Sequence, residues 1–314
     1  MGRIPVVFIA GPTAVGKTDL SINLAKELNG EIISADSMQI YKYMDIGTAK
    51  ITQEEMCGVK HYLIDEVEPD VEFSVVDFQK RAKKYIQEIY ESGKIPIIAG
   101  GTGLYINSLI YEMDFTKSKG DTKLRDELQK EVDEYGVEYL HNKLKKLDEK
   151  SAKRIHPNNV KRVIRAIEVC LQGDEKIGDF KNDVKFNENY YPILIVLNRD
   201  RKYLYERINK RVDIMINQGL LTEVNKLLKM GYDEKMTSMQ AIGYKEVIKA
   251  IQEEYSIEYA IELIKRDSRR YAKRQITWFK RYDFAEWVDL DDFSSQDEAK
   301  LLILSYIEGK LRNL

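Results

Sequence analysis

Cysteine is scarce in this chain. Cys57 and Cys170 are the only two in 314 residues, far apart and with no C-x-x-C pair. A disulfide-stapled scaffold and a cysteine zinc site are therefore not expected, and the reducing cytoplasm is the expected compartment. Histidine is nearly as rare: His61, His141 and His156 are scattered, which leaves no histidine metal cluster. No apolar run approaches the ~20 residues of a membrane helix, so no membrane association is expected. The N-terminus is expected to enter a strand directly rather than through a signal peptide. Proline is absent after Pro192, which favours helices in the last third. The net charge is only −2, so whole-chain charge does not announce a polyanion partner and the distribution of charge has to be read instead. No obligatory protein partner is evident. What remains, 43% hydrophobic and 32% charged, is the composition of a soluble globular protein.

Against that background the octapeptide Gly11-Pro12-Thr13-Ala14-Val15-Gly16-Lys17-Thr18 fits G-x-x-x-x-G-K-[ST] at every fixed position. The apolar run Ile4–Ala10 precedes it. Leu20, Leu24 and Leu28 follow at helical spacing. A strand, a glycine loop and a helix N-terminus together form an oxyanion cradle, with inward N–H groups, a favourable helix dipole and the mobile charge of Lys17. Thr18 is placed to offer a hydroxyl to Mg²⁺. The chain is expected to bind a di- or triphosphate.

Strand patterns recur at 4–10, 31–35, 61–65 and 95–99, separated by helical patterns of which 74–91 is the clearest. Such alternation predicts right-handed crossovers and an α/β fold: a P-loop NTPase-like parallel sheet core flanked by helices. A further strand, 191–197, arrives only much later. Between Met113 and Asn189 the pattern turns to charged helices, including 122–150 with Leu124, Leu128, Leu140 and Leu144. The expected organisation is a core of 1–113 plus 190–314 carrying an inserted all-helical module at 114–189. Residues 176–189 read as the returning loop, and a last short strand is expected at 286–290.

Proteins that transfer a γ-phosphoryl group usually hold Mg²⁺ with a second acid at a strand end. Here the strand at 95–99 ends in Gly100-Gly101-Thr102-Gly103, with no acid; Asp65 is the nearest substitute. The carboxylate that stands out is Asp36, at the end of the strand after the P-loop helix. Strand C-termini of open parallel sheets face the ligand crevice. Asp36 can therefore take a proton from a nucleophile or hold an amine, and it can equally cap the turn that follows. Thr102 is open to the same two readings.

The stretch Lys265–Arg281 carries eight cations and one acid. Arg266, Arg270 and Arg274, and likewise Arg269 and Lys273, recur at i,i+4 and make two adjacent basic stripes on one helix. A second cluster, Lys161, Arg162 and Arg165, lies on a helix whose other face is Val160, Val163, Ile164, Ile167 and Leu171. A stripe of this kind on a near-neutral protein favours polyanion binding over a merely solvated face. The interleaved Tyr271, Trp278 and Phe279 are expected in the core.

Several blocks together resemble the bacterial tRNA dimethylallyltransferases: Gly11–Thr18, Asp36–Lys50, Ile98–Tyr105, Arg154–Asn159, Gln240–Lys245 and Lys273–Trp278, in order along nearly the whole chain. The resemblance implies transfer of a dimethylallyl group from dimethylallyl diphosphate to the exocyclic amine of the adenosine just 3′ of the anticodon. The P-loop would then cradle a diphosphate leaving group, which accounts for the missing second acid. By the same resemblance Asp36 is the general base. Lys17, Thr18 with Mg²⁺, the P-loop amides and Arg211 stabilise the departing diphosphate. The anticodon arm of tRNA would be met by Asp36, Ser37, Met38 and Gln39, by Thr102 and Arg125, by Lys161, Arg162, Val163, Ile164 and Arg165, by Gln240, Ala241, Ile242, Gly243, Tyr244 and Lys245, and by Lys273, Arg274 and Gln275. The target base must leave its stack, at a cost of a few kcal/mol that contacts elsewhere have to offset. Two rival readings share the P-loop: an adenylate isopentenyltransferase and a small-molecule kinase. Neither needs a basic helix or a helical insertion.

Overall fold

The computed structural model describes residues 2–113, 121–172 and 185–313. It resolves into two compact units, Tyr111–Phe186 and the remainder. In the larger unit six strands form one sheet: β1 (Ile4–Ala10), β2 (Gly30–Ala35), β3 (His61–Tyr62), β4 (Ile95–Gly100), β5 (Tyr190–Asn198) and β6 (Glu286–Asp289), in the order β3-β2-β4-β1-β5-β6. Every pairing is parallel. Residues 6–10 of β1 are fully buried, because a parallel sheet has helices on both faces and its central strand meets no solvent. Val7, Ile9, Ile97 and Ile195 pack with Leu20 and Leu24 of α1 (Lys17–Glu27), Ile208 of α8 (Arg201–Gln218) and Ile303 of α12 (Gln296–Leu311).

Register decides where the site lies. Ala10 and Ala35 both pair with Gly100, and Ala10 also pairs with Val196. The C-terminal ends of β1, β2, β4 and β5 therefore form one row, with Gly11, Asp36 and Gly101 stepping off it side by side. α2 (Val75–Glu91) is launched by a capping box: the Ser74 side chain accepts from the Asp77 N–H, and the Asp77 carboxylate accepts from the Ser74 N–H at 2.9 Å.

The strand expected at 61–65 stops after Tyr62. Leu63 and Asp65 both adopt positive φ, which ends the extended run, and the Asp65 carboxylate pairs with Lys50 at 2.5 Å. β3 is also the edge strand, separated from β1 by β2 and β4. Asp65 is thus not a second acid for the P-loop.

The smaller unit contains α4 (Thr122–Tyr135), α5 (Val137–Leu147), α6 (Glu149–Arg154) and α7 (Val160–Leu171). The helical stretch 122–150 is broken twice: at Gly136, with φ +84°, and at Asp148, whose side chain accepts from the Ser151 N–H. Leu128, Leu140, Leu144, Ala152, Val163, Ile164 and Ile167 close its core. Most of the returning loop expected at 176–189 lies outside the described residues.

Candidate active site

The P-loop follows β1 directly. Gly11 (φ +147°) and Gly16 (φ +114°) take conformations that side chains rarely adopt, and Gly16 leads into α1. The Lys17 ammonium folds back onto the loop, donating to the Gly11 carbonyl at 3.0 Å and the Pro12 carbonyl at 2.8 Å. Burial, and next the neighbouring Arg211, push Lys17 down to about 7, while Asp36 pulls the other way. Burial also lowers Arg211, and Asp36 is the first group opposing it. Lys17, Arg211 and Asp36 therefore share one electrostatic neighbourhood.

Three arginines brace successive P-loop residues. Arg199 Nε donates to the Val15 carbonyl at 3.1 Å, Arg207 Nε to the Ala14 carbonyl at 2.8 Å, and Arg211 Nη1 to the Thr13 hydroxyl at 3.4 Å. Only Arg211 is anticipated from the sequence. Arg207 sits four residues before it on α8, and that spacing is the signal that could have found it. Arg199 is further anchored by an ion pair to Asp291, a partner 92 residues away that no local pattern reveals.

Of the two roles that the sequence leaves open for Asp36, the structure shows the turn cap directly and leaves one carboxylate oxygen over. Asp36 Oδ1 accepts from the Met38 N–H at 2.9 Å, capping the turn, and the remaining oxygen makes no hydrogen bond among the described residues. Thr102 lies beside it: Ser37 N–H donates to Thr102 Oγ1 at 3.2 Å, and Thr102 N–H donates to the Ala35 carbonyl at 3.1 Å. Gln39 is turned inward. Its amide accepts from Ser34 Oγ at 3.2 Å and reaches the Thr48 and Ala49 carbonyls.

No acid stands at the end of β4: position 102 is threonine, and the three glycines around it leave no room for a side chain. A Cβ on Gly100 would overlap the Ala35 backbone, one on Gly101 would overlap Gln275, and one on Gly103 would overlap Trp278. The glycines admit α11 (Ile257–Phe279) close against the strand ends. On the inner face of that helix, the Tyr271 hydroxyl lies against Thr102 and Gln275; burial, and next Asp36, push it up to about 12, so it remains a neutral donor.

Several residues expected to meet tRNA are buried or already paired within the protein. Val163 and Ile164 belong to the core of the helical unit, as the helical period of α7 demands of its apolar face. Arg125 forms a two-pronged bond at 3.0 Å to Glu168, which has 0% exposure, and Arg165 pairs with the same carboxylate. Lys161 and Arg162 are exposed. In the block 240–245, Ala241, Gly243 and Tyr244 are buried, whereas Gln240 is exposed and Ile242 and Lys245 are half-buried. Tyr244 donates to Glu223 at 2.6 Å, and the same carboxylate accepts from the backbone N–H groups of Asp45, Ile46 and Gly47. A Cβ on Gly47 would overlap the Tyr244 ring. Sequence reasoning missed this anchor, whose two halves lie about 180 residues apart. Gln275 is buried as well.

The basic stripe of α11 is partly neutralised. Asp267 pairs with both Arg266 (2.9 Å) and Arg270 (3.2 Å), Lys265 pairs with Asp213 at 2.7 Å, and Arg269 donates to Asn209 at 2.5 Å. Lys273 and Arg274 stay exposed with no ion pair among the described residues, and Arg274 lies 5.6 Å from the centroid of the Tyr271 ring.

Thr18, the second residue of α1, is exposed and its hydroxyl is unengaged among the described residues. No group of three or more His, Cys, Asp or Glu among those residues could hold a metal by itself. The donor set fits an Mg²⁺ held mainly by phosphate oxygens and water, and does not fit an all-protein cage.

Comparison with known proteins agrees with this geometry. A family profile described as IPP transferase matches residues 39–282. A tRNA dimethylallyltransferase of Clostridioides difficile (strain 630) is 64% identical over 99% of this chain and 100% of its own length. One of Alkaliphilus oremlandii is 56% identical over 98% and 99%. Among solved structures, a tRNA isopentenylpyrophosphate transferase of Bacillus halodurans is 47% identical with a TM-score of 0.75, covering 99% of this chain and 98% of that one. A eukaryotic dimethylallyltransferase acting on tRNA is 29% identical with a TM-score of 0.81, covering 98% and 80%. The chain belongs to the IPP transferase family.

Proposed function

We propose that this protein is a tRNA dimethylallyltransferase: it moves the dimethylallyl group of dimethylallyl diphosphate onto the exocyclic amine of the adenosine immediately 3′ of the anticodon and releases diphosphate. The observation that carries this reading is the pairing of a P-loop with a β4 end built of three glycines and a threonine, with no acid, while the carboxylate Asp36 stands one strand further on. Such a site suits the departure of a diphosphate and the loss of a proton from an amine better than γ-phosphoryl transfer. Lys17, Arg211 and the P-loop amides hold the diphosphate and take up the charge that grows as the allylic C–O bond lengthens, so the transition state is favoured over the ground state. Asp36, through its unengaged oxygen, holds the amine and accepts its proton as the new C–N bond forms. Thr18 would help hold an Mg²⁺, which when bound supplies further charge neutralisation on the leaving group. The direct test is incubation of the protein with unmodified tRNA and labelled dimethylallyl diphosphate, beside ATP as rival donor. Label should appear in the tRNA, and vigorous ATP hydrolysis with no prenyl transfer would instead make the protein a kinase-like enzyme.

Acceptor binding is assigned to the exposed cations Lys273 and Arg274, with Lys161 and Arg162 on the helical unit. Removing one cation that neutralises an RNA phosphate lowers the slope of log affinity against log salt by roughly 0.7–0.9. The double variant Lys273→Ala/Arg274→Ala is therefore expected to bind tRNA more weakly with a slope reduced by about 1.4–1.8, at unchanged affinity for dimethylallyl diphosphate. An unaltered slope would return these residues to solvated surface. Prenylation of AMP as readily as of tRNA would favour a free-nucleotide enzyme.

The depressed Lys17 also makes donor binding proton-linked. Below pH 7 the free ammonium is already charged; above it Lys17 is largely neutral until the diphosphate restores its charge. Calorimetry with dimethylallyl diphosphate in buffers of different ionisation enthalpy should show proton uptake rising from near zero at about pH 6 toward one above about pH 8. Affinity should fall there by at most about tenfold per pH unit. Uptake that does not change with pH would remove Lys17 as the linked group.

A further inference from the structure

Gln275 is 5% exposed, and both ends of its amide are engaged: Oε1 accepts from the Thr13 N–H at 2.9 Å, and Nε2 donates to the Gly101 carbonyl at 3.0 Å. One amide of the phosphate loop is thus held from behind by a helix, and that helix carries the exposed Lys273 and Arg274 on its outer side. Tyr271, one turn earlier, lies against Thr102, whose hydroxyl accepts from the Ser37 N–H. Trp278 covers Gly103. Through three inward side chains, α11 touches the loops after β1 and β4, and through Thr102 it reaches Ser37 in the loop after β2. Its inner and outer residues are separated by one or two positions of a single helix of 23 residues, so a small movement of one face is a movement of the other.

We propose that Gln275 is a positioning residue that couples seating of the acceptor on α11 to the aim of the P-loop amides. RNA phosphates drawn onto Lys273 and Arg274 press α11 against the strand ends, and Gln275 transmits this by holding the Thr13 N–H and the Gly101 carbonyl in one register. Bound RNA then tightens the diphosphate cradle, and by linkage bound diphosphate tightens RNA by the same factor. The proposal rests on the reading of this protein as a tRNA-dependent transferase.

The probe is inorganic diphosphate, which carries no group to transfer, titrated with and without saturating unmodified tRNA. Wild type should bind it at least about fivefold more tightly when tRNA is present, the lower end of ordinary coupling. Gln275→Met keeps the volume in the interior and removes both hydrogen bonds; its ratio should fall to near one, with tRNA affinity in the absence of diphosphate retained. A change in packing alone would shift thermal stability and leave the ratio where it is in wild type. Equal ratios in the two proteins overturn the proposal, and so does a wild-type ratio near one, which needs no variant at all. Wild type that binds no tRNA sinks the functional reading and this proposal with it, whereas tRNA binding without coupling sinks the proposal alone.

Discussion

Lys17→Ala loses transfer of the dimethylallyl group, with a fall of at least about 10²–10³-fold in the single-turnover rate, the cost of one donor aimed at developing charge. The ammonium already lies within the cradle, bonded to the Gly11 and Pro12 carbonyls, and no other lysine among the described residues bonds to the loop. Arg211 acts beside Lys17 and does not replace it, because its guanidinium reaches the loop through the Thr13 hydroxyl, whereas Lys17 bonds to the loop backbone. Rapid quench of a preformed tRNA complex with labelled donor measures the chemical step. If the variant transfers at a near-normal rate, the diphosphate is not held by this loop. If it loses an ATPase activity and wild type never transferred the prenyl group, the kinase reading takes over.

Asp36→Asn slows the chemical step by about 10²–10⁴-fold, the usual loss when a general base is removed. The substitution separates the turn cap from the proposed general base, since an asparagine carbonyl still accepts from the Met38 N–H and keeps the turn. Donor affinity should be preserved or raised, because one negative charge is taken from the neighbourhood of Lys17 and Arg211. Single-turnover transfer and diphosphate titration, run side by side, decide it. A variant that transfers normally would leave Asp36 as a turn cap and nothing more.

The parts that could be read in advance are those whose physics is local. The P-loop is a strand, a turn and a helix start within 25 consecutive residues, and its glycines sit at positive φ as the motif requires. The parallel sheet follows from strands spaced by helices, and Asp36 follows from its place at a strand end. Val163 and Ile164 are instructive: the period of α7 put them on the apolar face, and the block resemblance assigned them to tRNA. Burial upholds the period.

The sequence by itself determined the P-loop, the alternation of strand and helix that makes the α/β sheet, and the carboxylate at the end of β2. Each of these rests on residues close together in the chain. Tertiary structure alone decided which charges are free and what the glycines are for. The partners of Gln275 lie 262 and 174 residues away, Arg199 meets Asp291 across 92 residues, and the Glu223 anchor reaches back to the loop at 45–47. Parallel strand order places distant segments side by side at one sheet edge. A buried amide must then satisfy its hydrogen bonds with whatever the fold delivers, and sequence spacing carries no record of that pairing.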